Sequence, residues 1–195
     1  MVSRGKPELQ TSSGKVLAIT LFLLTLTAIA EFALGRSTWG IGGIPGIWSG
    51  DINSEHNSQF LFDPYTLTHV THGVLLYALV TLMFGRLPLA SRLLIAIGLE
   101  CGWEVFENTS FTIERYRAET ISLNYYGDSI ANSLCDVLAS IAGFLLVSRL
   151  PKRLTILSVA VIEILLVVWT RDNLTLNVIM LIHPSAAIRA WQLGR

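Results

Sequence analysis

The chain has 195 residues, 52% of them hydrophobic and 14% charged, with a formal net charge of +0 and a mean hydropathy of +0.56. Soluble domains carry about 25% charged residues, so the composition excludes an ordinary water-facing surface, and the zero net charge leaves no global electrostatic argument for nucleic acid. Cys101 and Cys135 both fall in apolar stretches and read as packing residues, not as a disulfide framework or a metal knuckle.

A membrane-spanning helix needs about 20 mainly apolar residues. Taken in chain order, segments 16–34, 66–84, 93–111, 128–147 and 154–170 meet that length, with carboxylates crowding the second half of the third. The expected fold is therefore all-α, one membrane domain, a bundle of about five transmembrane helices. A shorter apolar run, 174–182, ends at His183-Pro184. It is too short to span alone, and reads as re-entrant, interfacial or half of a sixth span. Lys and Arg in short loops set orientation. Arg4, Lys6, Lys15, Arg86, Arg92, Arg149, Lys152 and Arg153 fall on one side. Arg36, Arg115, Arg117, Arg171, Arg189 and Arg195 fall on the other. The larger group predicts a cytoplasmic N-terminus, with 35–65 and 110–127 as outer loops. The basic start, the apolar run and Ala28-Ile29-Ala30 also resemble a cleavable signal peptide; on either reading 35–65 lies outside.

Charged groups within a bilayer cost at least about 2.5–3.5 kcal/mol each, so their positions carry information. Glu100, Glu104, Glu107 and Asn108 follow i, i+4, i+7, i+8, one face of a helix. Asp128, Asn132, Asp136 and Ser140 repeat every fourth residue, and His69 and His72 sit at i, i+3 beside Thr68 and Thr71. At about 1.5 Å per residue, Glu100 and Asp136 lie roughly 12 Å in from the outer helix ends and His72 roughly 9 Å. Three sequence-distant polar faces are thus expected to meet at one depth.

Plainer roles stand beside functional ones. Glu31, Glu107 and Asp128, near span ends, fit carboxylates in headgroup water. Arg115 and Arg117 fit loop charges, and Asn132 and Ser140 fit interhelical hydrogen bonding. Glu163, in the middle of the fifth span, has no partner that the sequence identifies, so it is either protonated or paired. For His69, His72, Glu100, Glu104 and Asp136, two chemistries remain open. They suit general acid–base catalysis, or a divalent metal held through imidazole nitrogen and carboxylate oxygen, although no His-Glu-x-x-His spacing is present. Arg115 and Arg117, with Asp128 and Asn132, are the expected substrate-binding residues, because arginine suits a phosphate or carboxylate ligand. No Walker loop, Gly-x-Ser-x-Gly elbow or dinucleotide fingerprint occurs.

Several stretches carry a resemblance: HNSQFLFDPYTLTHVTHG from His56, ECGWEVFEN from Glu100, ERYRAE from Glu114, YYGDSIANSLCD from Tyr125 and RDNLTLNVIMLIHP from Arg171. Together they resemble an uncharacterised family of small multi-pass bacterial inner-membrane proteins, which implies membrane location without an assigned activity. A looser likeness is to VanZ-like membrane proteins, with His72, Glu100, Arg115 or Arg117, Asp128 and Asn132 at the matching places. Trp103 and Glu104 stand where that pattern usually has a Gln. This likeness implies action on lipid headgroups or lipid-linked envelope precursors.

The expected function is accordingly an envelope-facing inner-membrane enzyme acting on a phospholipid headgroup or lipid-linked phosphate. Membrane lipids are its expected partners, and nucleic acid is not. His69 or His72 is the expected acid–base group or nucleophile, oriented by Glu100, Glu104 and Asp136. The alternative is a non-enzymatic protein, a small transporter or assembly factor, whose polar interior is structural. Geometry separates the two, since an enzyme needs His72, Glu100 and Asp136 around one cavity.

Overall fold

A computed structural model describes residues 12–194; Arg4, Lys6 and Arg195, used above for orientation, lie outside that range. The elements are α1 (Ser13–Ala33), a 3₁₀ turn (Ile41–Gly43), α2 (Thr66–Phe84), α3 (Leu89–Glu107), α4 (Ser110–Glu119), α5 (Ile130–Val147), α6 (Lys152–Thr170), α7 (Leu174–Ile182) and α8 (Ala186–Gln192). Helix starts follow ordinary capping chemistry. The side chains of Ser12, Thr109, Ser129, Asn173 and Ser185 each accept a hydrogen bond from the backbone N–H three residues on. Pro88 and Pro151 begin α3 and α6, where a missing N–H costs nothing.

Four helices, α1, α2, α5 and α6, are long and apolar enough to cross a membrane. Their outward faces are greasy: Leu17, Phe22 and Phe32 on α1 and Ile156, Ile164 and Val168 on α6 are exposed. The interior, by contrast, buries Glu31, Glu100, Glu104, Asn132 and Asp136. Apolar residues outside and carboxylates inside invert the soluble pattern, and only a lipid surround makes that arrangement favourable. The chain is an all-α membrane bundle.

The third expected span needs correction. Its helix, α3, lies earlier than 93–111, ending at Glu107. Residues 110–119 then form a separate helix instead of a loop, begun by the Thr109 cap. The hydroxyls of Thr109 and Thr112 both donate to the Phe106 carbonyl, at 2.6 and 2.9 Å, which fixes the break between the two helices. α3 packs against α1, α2 and α5.

The tightest seam is α2 on α5. A Cβ on Gly73 would overlap the Ser140 carbonyl, and one on Gly143 would overlap that of Val70. Two glycines, one from each helix, therefore let the backbones touch. That seam carries His69 and His72 on one side and Asp136 on the other. Glu163 finds its partners in α7: its carboxylate accepts the N–H groups of Leu174 at 3.3 Å and Thr175 at 3.1 Å. An acidic side chain at a helix N-terminus is electrostatically favourable, and it holds the start of α7 to α6.

Candidate functional site

The loop 35–65 folds over the starts of α2 and α5. Asp63 anchors the chain entering α2, its carboxylate accepting from the N–H groups of Ser58 at 2.7 Å, Tyr65 at 2.8 Å and Thr66 at 3.3 Å. Burial raises the Asp63 carboxyl above its ordinary range, opposed by those three N–H groups. The first N–H groups of α5 are taken up by loop carbonyls: Ser129 donates to Ser58, Ile130 to Ser37 and Ala131 to Thr38, at 2.9 to 3.0 Å. Asn132 donates to the Phe60 carbonyl at 2.9 Å. It serves as a tether for this loop and does not line the cavity below.

Inside the bundle the three polar faces meet. Glu100 Oε1 accepts from His69 Nδ1 at 2.9 Å and His72 Nδ1 at 3.1 Å. Glu104 Oε1 is 3.2 Å from His69 Nδ1, and Asp136 Oδ2 is 3.9 Å from His69 Nε2. His69, Glu100, Glu104 and Asp136 are buried, and His72 remains 16% exposed. With Glu100 ionised and therefore an acceptor only, both facing ring nitrogens donate, which places the imidazole hydrogens on Nδ1. Each Nε2 is left with a lone pair. The Trp103 ring stands edge-on to His72, centroids 5.9 Å apart.

These residues open onto a cavity of about 1050 Å³. His69, His72, Glu100, Glu107, Asp128 and Asp136 line it, and so do the apolar Leu75, Leu79, Leu99, Trp169 and Val178. Tyr65, Tyr116, Tyr125 and Arg171 complete it towards the loops. Arg115 and Arg117 do not line it. Arg115 donates to the Leu181 carbonyl at 2.7 and 3.1 Å, tying α4 to α7, and Arg117 stacks over Tyr126 at 4.6 Å. Arg171, in the left-handed region with φ 57°, is the arginine that the geometry brings to the cavity instead. Nothing in the helical periodicity marks it, because its place depends on the break between α6 and α7.

Glu31 and Asp128 are buried, contrary to the expectation that they face headgroup water. Asp128 Oδ2 accepts from Tyr125 Oη at 2.8 Å and Asn108 Nδ2 at 3.0 Å, and its N–H donates to Asn108 Oδ1. Glu31 is 0% exposed, with neither carboxylate oxygen hydrogen-bonded. A second cluster escaped the sequence reading. Asp172 accepts from Tyr65 Oη, Asn177 Nδ2 and Gln192 Nε2, each at 3.0 Å. Burial pushes its carboxyl up to about 6, against these donors. Burial and the Asp172 charge push the Tyr65 phenol well above its ordinary value. The cluster unites three segments with no shared periodicity, so only the folded chain reveals it. Two groups have the composition of a metal site, His69 with His72 and Glu100, and His69 with Glu104 and Glu107; in each, the potential ligand atoms lie within 4.8 Å of one another.

Residues 31–194 match the family model described as a protein of unknown function, DUF2585. A UPF0314 protein of Brucella anthropi is 45% identical over 176 residues, covering 90% of this chain and 89% of its own length. One from Sinorhizobium fredii is 44% identical over 185 residues, 95% of this chain and 94% of its own. One from Paracoccus denitrificans is 43% identical over 173 residues, 89% and 90% respectively. No solved structure matches the chain.

Proposed function

This chain belongs to the UPF0314 family, whose sequence model is described as DUF2585, and we propose that it is an envelope-facing inner-membrane enzyme acting on the polar head of a lipid. The substrate class is a phospholipid headgroup or another lipid-linked phosphate. The observation carrying this reading is that His72, Glu100 and Asp136 line one cavity whose wall also carries leucines. A lipid offers both kinds of surface. His72 is the acid–base group: its Nδ1–H is held by Glu100, and its Nε2 takes a proton from the attacking oxygen and returns it to the leaving group. Glu100 sets tautomer and ring direction. His69 shares the same carboxylate oxygen and backs the pair. Arg171 is the arginine lining the cavity; its Nη1 donates to the Trp191 carbonyl at 3.3 Å, and its other N–H groups are the donors offered to a headgroup phosphate.

The non-enzymatic alternative, a small transporter or assembly factor with a structural polar network, draws support from Asp128 and Asn132. Their hydrogen bonds hold α3, α5 and the 35–65 loop together. Complementation of a deletion strain, with membrane levels quantified, separates the readings. His72→Gln and Glu100→Gln keep hydrogen-bonding capacity. An enzyme predicts near-normal abundance with function lost, because a general acid–base group contributes about 10²–10⁴-fold in rate. A lipid carrying the unprocessed headgroup should accumulate in the deletion strain. Full rescue by both well-expressed variants would end the enzyme reading.

A further inference from the structure

The polar interior is short of positive charge. Glu100, Glu104, Glu107 and Asp136 surround two imidazoles, and among the described residues no lysine or arginine forms an ion pair with any of them. The single Nδ1 hydrogen of His69 goes to Glu100 at 2.9 Å. Glu104, at 3.2 Å from the same nitrogen, is left without it. Its side chain is 1% exposed, and neither carboxylate oxygen has a hydrogen-bond partner. A buried carboxylate in that position requires a proton or a cation.

The neighbours of Glu104 favour a cation. Glu107 follows it at i+3 on the same face of α3, and one ring nitrogen of His69 approaches from α2. The potential ligand atoms of these three residues lie within 4.8 Å of one another, close enough for small side-chain rotations to bring them around one ion. The competing group shares His69, and both of its imidazoles are hydrogen-bonded to Glu100; in the site beside Glu104, His69 gives up its bond to Glu100, the ring hydrogen sits on Nε2 beside Asp136, and Nδ1, 3.2 Å from Glu104, is the ligand atom. We propose that His69, Glu104 and Glu107 hold a divalent cation in the cavity wall. One imidazole and two carboxylates suit Zn²⁺ or Mn²⁺ better than the all-oxygen shells of Ca²⁺ and Mg²⁺. His69 and Glu107 line the cavity while Glu104 lies behind them, so the open coordination positions face the ligand space. The proposal rests on the lipid-enzyme reading and deepens it, because the cation gives a phosphate headgroup a partner in a wall otherwise rich in carboxylates.

The test uses the full chain purified in detergent, loaded with Zn²⁺ or Mn²⁺, desalted and assayed by elemental analysis. About one ion per chain is expected in the wild type. Glu104→Gln and Glu107→Gln should each lower the affinity more than about tenfold. Arg115→Gln, away from the cavity, should retain the ion. Because Glu104→Gln neutralises an unpartnered carboxylate, its melting temperature in chelator should equal or exceed that of the wild type, which separates lost binding from lost folding. Glu107→Gln, at a partly buried position, gives a second variant. A wild type that takes up neither ion overturns the site, as does retention by both glutamine variants, or loss in His72→Gln with retention in Glu104→Gln. These results are independent of complementation. An ion-free protein inactivated by His72→Gln loses the metal site and keeps the enzyme reading, and a metal-loaded protein rescued by His72→Gln does the reverse.

Discussion

At the scale of single residues, Asp172 shows how burial and hydrogen bonding compete. Three side-chain donors converge on its carboxylate, yet burial prevails and holds its carboxyl up to about 6, against an ordinary value of 3.8. The folded state therefore binds this proton more tightly than the unfolded chain. The resulting stabilisation is complete below the unfolded value and is lost as pH rises through about 6. The window is worth about 3 kcal/mol at most. Asp172→Asn removes this titration but leaves one facing donor without an acceptor, at a cost of about 1–3 kcal/mol. The variant should melt well below the wild type near pH 4, and the gap should narrow towards pH 8 (roughly, from the same linkage). Thermal unfolding across that range checks it; a gap that widens with pH contradicts the assignment. Glu163 illustrates a different legibility limit. Its sequence surroundings gave no partner, because the partner is the backbone start of α7.

At the scale of elements, the close α2–α5 seam sets the distances in the site. Gly73 and Gly143 each sit where a methyl group would collide with the opposite backbone, whereas Gly98 and Gly102 on α3 have open space at that point. Gly73→Ala and Gly143→Ala should push the helices apart and destabilise by about 1–3 kcal/mol, with His69 withdrawn from Asp136. Gly98→Ala should be neutral or slightly stabilising, since alanine favours helix. Melting temperatures in detergent test the contrast, and equal stability of all three variants would refute close packing as the reason for the glycines. Much of this layer could be read from the sequence. Hydropathy located 66–84 as a spanning helix and 174–182 as a short apolar run, and helices with those bounds form there; the spacing of the polar residues brought His69, Glu100 and Asp136 together. It failed at 110–119, where a hydrogen-bonded cap and not a hydropathy change ends one helix and begins the next. Arg115 and Arg117 looked like ligand cations because sequence shows charge but not the carbonyl or ring that occupies it.

At the scale of the whole molecule, the two loops expected outside share one end of the bundle. Gln59 Nε2 donates to the Gly127 carbonyl at 2.8 Å, and the Ser129 N–H to that of Ser58 at 2.9 Å. The cavity is lined by residues of both loops, such as Asn53 and Asn124. Whichever side one loop occupies, the other and the site must share it. The excess of Lys and Arg at the opposite end predicts that this end faces the cytoplasm. Glu55 and Asn124 are exposed at the loop end, and Arg86 and Arg149 lie at the other. With Cys101 and Cys135 first replaced by serine, Glu55→Cys and Asn124→Cys should react with an impermeant maleimide in intact cells. Arg86→Cys and Arg149→Cys should react only after permeabilisation. Labelling of Glu55→Cys without Asn124→Cys would contradict the packing of the two loops. Reaction of both only after permeabilisation would turn the molecule over, and with it the side of the membrane from which a lipid headgroup must enter.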